Sequence, residues 1–135
     1  MSDANKAVVQ RWVNAVNEGN ADINEELFTP ETEFHVPRGT APGRQGRREW
    51  FLNRLEAFPD IHATIEEQIA EGDKVVSRIT FRGTHQGRFG DIPATGKSVE
   101  WTIITIDRIA NGKILARFGL PDQMNLYRQL GAVSI

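Results

Sequence analysis

An α+β domain, with helices laid over one face of a curved antiparallel sheet, is the fold class this sequence predicts. Three observations carry that expectation. Apolar residues recur at helical spacing up to Phe58. From Ile61 onward the pattern changes to period two with β-branched residues, and two tight hairpin signals, Glu71-Gly72-Asp73 and Asn111-Gly112, join the β segments. Helices gathered before the strands, not alternating with them, favour α+β over α/β. A length of 135 residues, without a linker, repeat or low-complexity tract, predicts a single domain over 1–135.

Asp3 is placed to cap a first helix whose apolar side is Val8, Val9, Trp12, Val13 and Val16, and Gly19 and Asn20 end it. A short second helix, about Asp22 to Phe28, stops at Thr29-Pro30. Thr32 to Val36 alternates like a short strand and contains His35. Pro37 to Gln45, extended to Gly46, reads as a loop on its prolines and glycines. A third helix from Arg47 to Phe58 carries Phe51, Leu52, Leu55 and Phe58 on one stripe, with Trp50 at the margin.

Four long strands follow: Ile61 to Ala70, Lys74 to Thr84, Ser98 to Ala110 and Lys113 to Leu120, the second and third joined by a glycine-containing connection over 85–97. Asp122 to Leu130 is a terminal helix stopped by Gly131. Long strands coil, so such a sheet is able to bend around its helices and leave a conical cavity between the layers.

Sixteen basic against eighteen acidic side chains give a formal charge of −2, unlike the basic excess of a nucleic-acid binder. No cysteine is present, which removes thiolate chemistry and disulfides and fits a reducing compartment. No run reaches the ~18 apolar residues of a membrane span, nor does the start resemble a signal peptide, so the expected location is the cytoplasm. The three histidines, His35, His62 and His85, have no zinc spacing, and no metal is expected. Gly-x-Gly-x-x-Gly, P-loop and Gly-x-Ser-x-Gly patterns are absent, so nucleotide use and serine hydrolysis have no support.

Chemistry narrows to one corner, where the last strand runs through Leu120-Pro121 into Asp122. Asp is a preferred N-cap, so Asp122 is a capping residue, a proton acceptor, or both. His35 is either structural or a pocket residue if it faces the same cavity as Asp122. Trp101 and Phe118, on the two arms of the Asn111-Gly112 hairpin, together with Trp50, Phe51 and Ile103, are the candidate walls of that cavity, with core packing as the alternative. Arg38, Arg44, Arg47 and Arg48 read as a solvated basic loop or as an anion clamp.

A resemblance adds to this. Ala57-Phe58-Pro59-Asp60-Ile61, Glu71-Gly72-Asp73-Lys74-Val75-Val76, Gly83-Thr84-His85-Gln86-Gly87, Pro93-Ala94-Thr95-Gly96-Lys97, Gly112-Lys113-Ile114 and Gln129-Leu130-Gly131 occur in the order seen in the SnoaL-like polyketide cyclases, or ester cyclases. The chain resembles that family from about Trp12 to Gly131. The resemblance implies the cone-shaped nuclear transport factor 2-like fold, a hydrophobic small-molecule substrate, no cofactor, and a homodimer. It also implies intramolecular aldol ring closure, with Asp122 as acid/base and His35 as a pocket histidine. Where many relatives carry Glu and Trp on the last strand, this chain has Ala116 and Phe118. A binding module without chemistry, and a hydrolase or hydroxylase of a related polycyclic substrate, are the competing functions.

Overall fold

The structure is a computed structural model that describes residues 2–35 and 43–133. Helix α1 (Ser2–Glu18) and the short α2 (Ile23–Leu27) lead into strand β1 (Phe28–His35). Helix α3 (Gly43–Ala57) follows, then β2 (His62–Glu71), β3 (Lys74–Thr84), β4 (Ser98–Ala110), β5 (Lys113–Pro121) and α4 (Gln123–Gln129). The sheet order is β1-β5-β4-β3-β2, with β2 to β5 an antiparallel meander and β1 added parallel to β5. The α+β class and the four long strands are as expected from sequence.

Three boundaries differ from the sequence reading. Asp3 lies in the first turn of α1, which already begins at Ser2. Strand β1 starts at Phe28, four residues early, because Pro30 is tolerated where the pairing with β5 shifts register between Phe28 and Glu33. Helix α3 begins at Gly43, so residues 43–46 are helical instead of loop; Val36, Pro37 and Arg38 lie outside the described residues.

The inner face of the sheet is read directly from alternation. Val75, Ile79 and Phe81 of β3 and Val99, Trp101, Ile103 and Ile109 of β4 are buried beneath α1 and α3. Trp12 of α1 centres this layer, stacked at 6.1 Å on Trp50 and edge-on to Phe81 at 6.3 Å. Asn17 ties the end of α1 to β2, donating from Nδ2 to Ala63 O at 3.0 Å and accepting the Ala63 N–H at 2.6 Å. At Asn111 (φ 53) and Gly112 (φ 75) both turn residues take positive φ, the conformation a two-residue hairpin demands.

The recurring short motifs turn out to be clamps. The Asp60 carboxylate accepts from Thr84 N–H at 2.7 Å and Thr84 Oγ1 at 2.8 Å, which holds its pKa down. Gly87 is required because a Cβ there would meet Glu56 O at 2.1 Å. Gln129 pins α4 to β4, donating to Glu100 O at 2.7 Å and accepting the Glu100 N–H at 3.0 Å.

His85 is fully buried against Phe58, and its Nδ1 accepts the Thr95 N–H at 3.2 Å, so the neutral ring carries its proton on Nε2. Desolvation pushes its pKa down, opposed more weakly by the Gly87 backbone. Above about pH 6.5 the ring is neutral in folded and unfolded chains alike. As pH falls through that value the unfolded chain takes up a proton the folded one resists, so this part of the stability is lost on acidification. The expected result is a urea midpoint that drops between about pH 7.5 and 5.5, with a smaller drop in His85→Gln. Equal drops in the two proteins would contradict it.

Candidate active site

A cavity of about 490 Å³ lies between α3, the inner sheet face and α4. Its apolar walls include Trp50, Phe81, Phe89, Trp101 and Ile103, and its polar groups include Arg47, Arg54, Gln123 and Tyr127. Phe89 comes from the long β3–β4 connection, which closes on itself through paired Phe89 and Ile92 backbones and sets Phe89 beside Tyr127, the tilted rings 6.1 Å apart. The size and the aromatic lining suit one flat, drug-sized molecule.

Trp50, Trp101 and Ile103 of the expected walls line this cavity. Phe51 does not: it is core, bordering a small apolar crevice with Val16, Leu55 and Phe81. Phe118 is 52% exposed on the opposite face of the sheet. The physical reason is a register shift between Arg108 and Ile109, which pair with Ala116 and Ile114 and leave Leu115 as an extra residue. That bulge reverses the alternation, so Arg117, Gly119 and Pro121 turn inward and Phe118 and Leu120 outward. His35 is likewise on the outer face, since its neighbour Phe34 packs inward on Phe28 at 5.1 Å. The His35 ring stacks on Phe118 at 6.3 Å and meets Glu33 Oε1 at 3.2 Å.

Asp122 occupies the corner foreseen for it. It is the N-cap of α4, and its Oδ1 accepts from the Asn125 N–H at 3.2 Å. Its side chain is exposed, and the residues on either side, Pro121 and Gln123, both line the cavity. Asp122 itself is not among the lining residues, although both its chain neighbours are, and His35 lies on the other face of the sheet. Glu56 is the acidic residue among the described lining.

Of the arginines, Arg47 has two readings from sequence, solvated loop or anion clamp, and Arg54 has none. Arg47, Trp50, Phe51, Arg54 and Phe58 fall on one helical stripe, so the cavity side of α3 is cationic as well as aromatic. Trp50 lies between two guanidiniums, Arg47 at 4.2 Å and Arg54 at 4.8 Å from its ring centre. Burial lowers the pKa of Arg54 to about 10. Arg48, by contrast, points outward to Asp22 and Glu25, each at 3.0 Å. Below the cavity Arg117 (1% exposed) makes a two-pronged bond to Asp107 (0% exposed), at 2.7 and 3.0 Å.

An open five-stranded sheet covered by helices places the chain in the nuclear transport factor 2-like fold class. Comparison with known proteins makes this specific. The family model for SnoaL-like polyketide cyclase matches residues 6–130, and the chain belongs to that family. Among curated relatives, aklanonic acid methyl ester cyclase of Streptomyces peucetius is 30% identical over 129 residues, covering 92% of this chain and 88% of the relative. The enzyme of the same name from Streptomyces sp. strain C5 is 32% identical over 131 residues, covering 92% and 80%. TsrD from Streptomyces laurentii superposes with a TM-score of 0.87 at 28% identity over 97% of each chain. A SnoaL-like polyketide cyclase from Agrobacterium tumefaciens shares the fold, with a TM-score of 0.77 at 20% identity over 94% and 98%. The chain is thus an enzyme of the cyclase type.

Proposed function

We propose that this chain closes a ring in an aromatic polyketide ester of the aklanonic acid methyl ester kind, without a cofactor, and that Asp122 moves the protons. What supports the reading is the corner Pro121–Gln123, where the residues on either side of the capping Asp122 line a cavity walled by Trp50, Phe81 and Trp101. A carbon between two carbonyls is acidic enough for one positioned carboxylate to take its proton. The enolate carbon then attacks the neighbouring carbonyl carbon, a C–C bond forms, and the alkoxide takes the proton back. Confinement in the cavity supplies the alignment that an intramolecular attack needs.

Product mass tests the reaction class. Ring closure gives an isomer of the same mass, hydrolysis a product heavier by water, and hydroxylation one heavier by oxygen. We further propose that the outer sheet face seats a second copy of the chain. Ile104 lies opposite Leu120 and Ile106 opposite Phe118, all exposed, so four apolar side chains form one patch. Light scattering is expected to give twice the chain mass; a monomer would contradict the dimer and leave the cavity reading intact.

A further inference from the structure

We propose that Arg47 is an oxyanion-binding residue of the cavity, receiving the delocalised oxygen anion of a flat aromatic ligand. Arg47 lines the cavity yet is only 3% exposed, and its Nε has no hydrogen-bond partner. Among the described residues it forms no ion pair. What surrounds it is aromatic: its guanidinium carbon lies 4.2 Å from the Trp50 ring centre, 5.2 Å from Phe34 and 5.9 Å from Trp12.

The nearby charges make matters worse for it. Burial pushes the Arg47 pKa well down, the positive charges of Arg117 and then Arg54 push the same way, and only Asp107 opposes. Asp107 is already held by both prongs of Arg117. An arginine remains charged even so, and a buried charge without a counter-charge is strongly unfavourable. The buried layer therefore has a cation in excess of its carboxylate, directed at a cavity sized for a ligand. An anionic oxygen on that ligand supplies the missing charge and a hydrogen-bond acceptor for the planar donor array, while Trp50 and Trp101 hold the ring system.

This deepens the ring-closure reading, for which the anion is the enolate that forms when the proton leaves; the binding site itself stands on the geometry of Arg47 alone. The substrate it implies is an enolisable or phenolic aromatic molecule, not a neutral hydrocarbon.

The test uses two probes of one shape, 2-naphthoate and the neutral 2-naphthamide, titrated into the whole protein and followed by tryptophan fluorescence. Wild-type protein is expected to bind the naphthoate about tenfold or more tightly than the amide, the scale of a charge-assisted hydrogen bond. Arg47→Met is expected to lose that preference and to keep or raise the melting temperature, because the unbalanced charge is gone. Equal binding of the two probes by wild type, binding of neither, or a preference that survives in Arg47→Met would overturn the proposal. Should Arg47→Met fail to fold, a crystal soaked in naphthoate decides: a carboxylate within about 3.2 Å of the Arg47 guanidinium supports the site, and one bound elsewhere overturns it. Preference for the anion without any ring-closing turnover would sink the reaction and leave this site standing.

Discussion

Asp122→Asn is expected to lower kcat for ring closure by about 10²- to 10⁴-fold, the usual worth of a positioned proton-transfer group. The substitution is unusually clean here because Asn caps helices as well as Asp does. The Asn125 N–H, 3.2 Å from Oδ1, keeps an acceptor, so the corner and the cavity edge stay in place. Asp122→Ala removes both tasks and should also cost about 1 kcal/mol of stability. Steady-state kinetics beside thermal melts separates the roles: unchanged melting with lost turnover in the Asn variant identifies chemistry. Turnover at the wild-type rate would reduce Asp122 to a cap and pass the proton transfer to Glu56, tested by Glu56→Gln.

Removing the carboxylate of Asp107 is expected to be the most destabilising single change, at about 3–5 kcal/mol for Asp107→Leu. The loss exceeds that of a surface pair because both partners are dry, and because Arg117 would be left beside a second buried guanidinium, Arg47. Arg117 is also held on Trp12 at 4.3 Å, so it cannot simply swing out to water. The double variant Asp107→Leu with Arg117→Met should recover most of the loss, since a buried pair replaced by apolar side chains is often neutral. Denaturant midpoints of wild type, both single variants and the double variant close the cycle. A cost for Asp107→Leu below about 1 kcal/mol would mean that the pair is not desolvated as the structure shows.

The fold was legible because local and long-range signals agree along most of the chain. Asn111-Gly112, with both residues at positive φ, left one hairpin geometry to choose. Val75, Ile79 and Phe81 alternate on a strand buried on one face. The motifs that carried the resemblance are fold clamps: Asp60 to Thr84, His85 to Thr95, Gln129 to Glu100. None of these six residues lines the cavity, although Ile61, beside Asp60, does.

The site was less legible, and the reasons are local. A one-residue bulge at Leu115 reversed β5, so the side chains that face inward are an arginine, a glycine and a proline, while the apolar Phe118 and Leu120 face out. Period two cannot reveal a bulge that hydrophobicity does not mark. His35 followed the same error, since one position decides the face of an edge strand. Arg47 and Arg54 share the stripe of Phe51 and Phe58, but charged side chains are ordinarily counted as solvated, and the helix begins seven residues before its first apolar side chain, Trp50. The capping role of Asp122 was legible because a proline and a preferred cap residue mark the corner whatever the sheet does.

On the proposed function the reaction occurs in the cavity and not on the outer face with His35 and Phe118. The most direct measurement is kcat/KM for the mass-conserving conversion of the polyketide ester, compared between wild type, Ile103→Trp, which fills the cavity from its β4 wall, and His35→Ala on the opposite face. The expected result is a loss of about 100-fold or more in Ile103→Trp, given how steeply rate depends on reactant placement, and a rate within about twofold in His35→Ala. A folded Ile103→Trp protein that turns over normally, with His35→Ala inactive, would place the chemistry on the other side of the sheet.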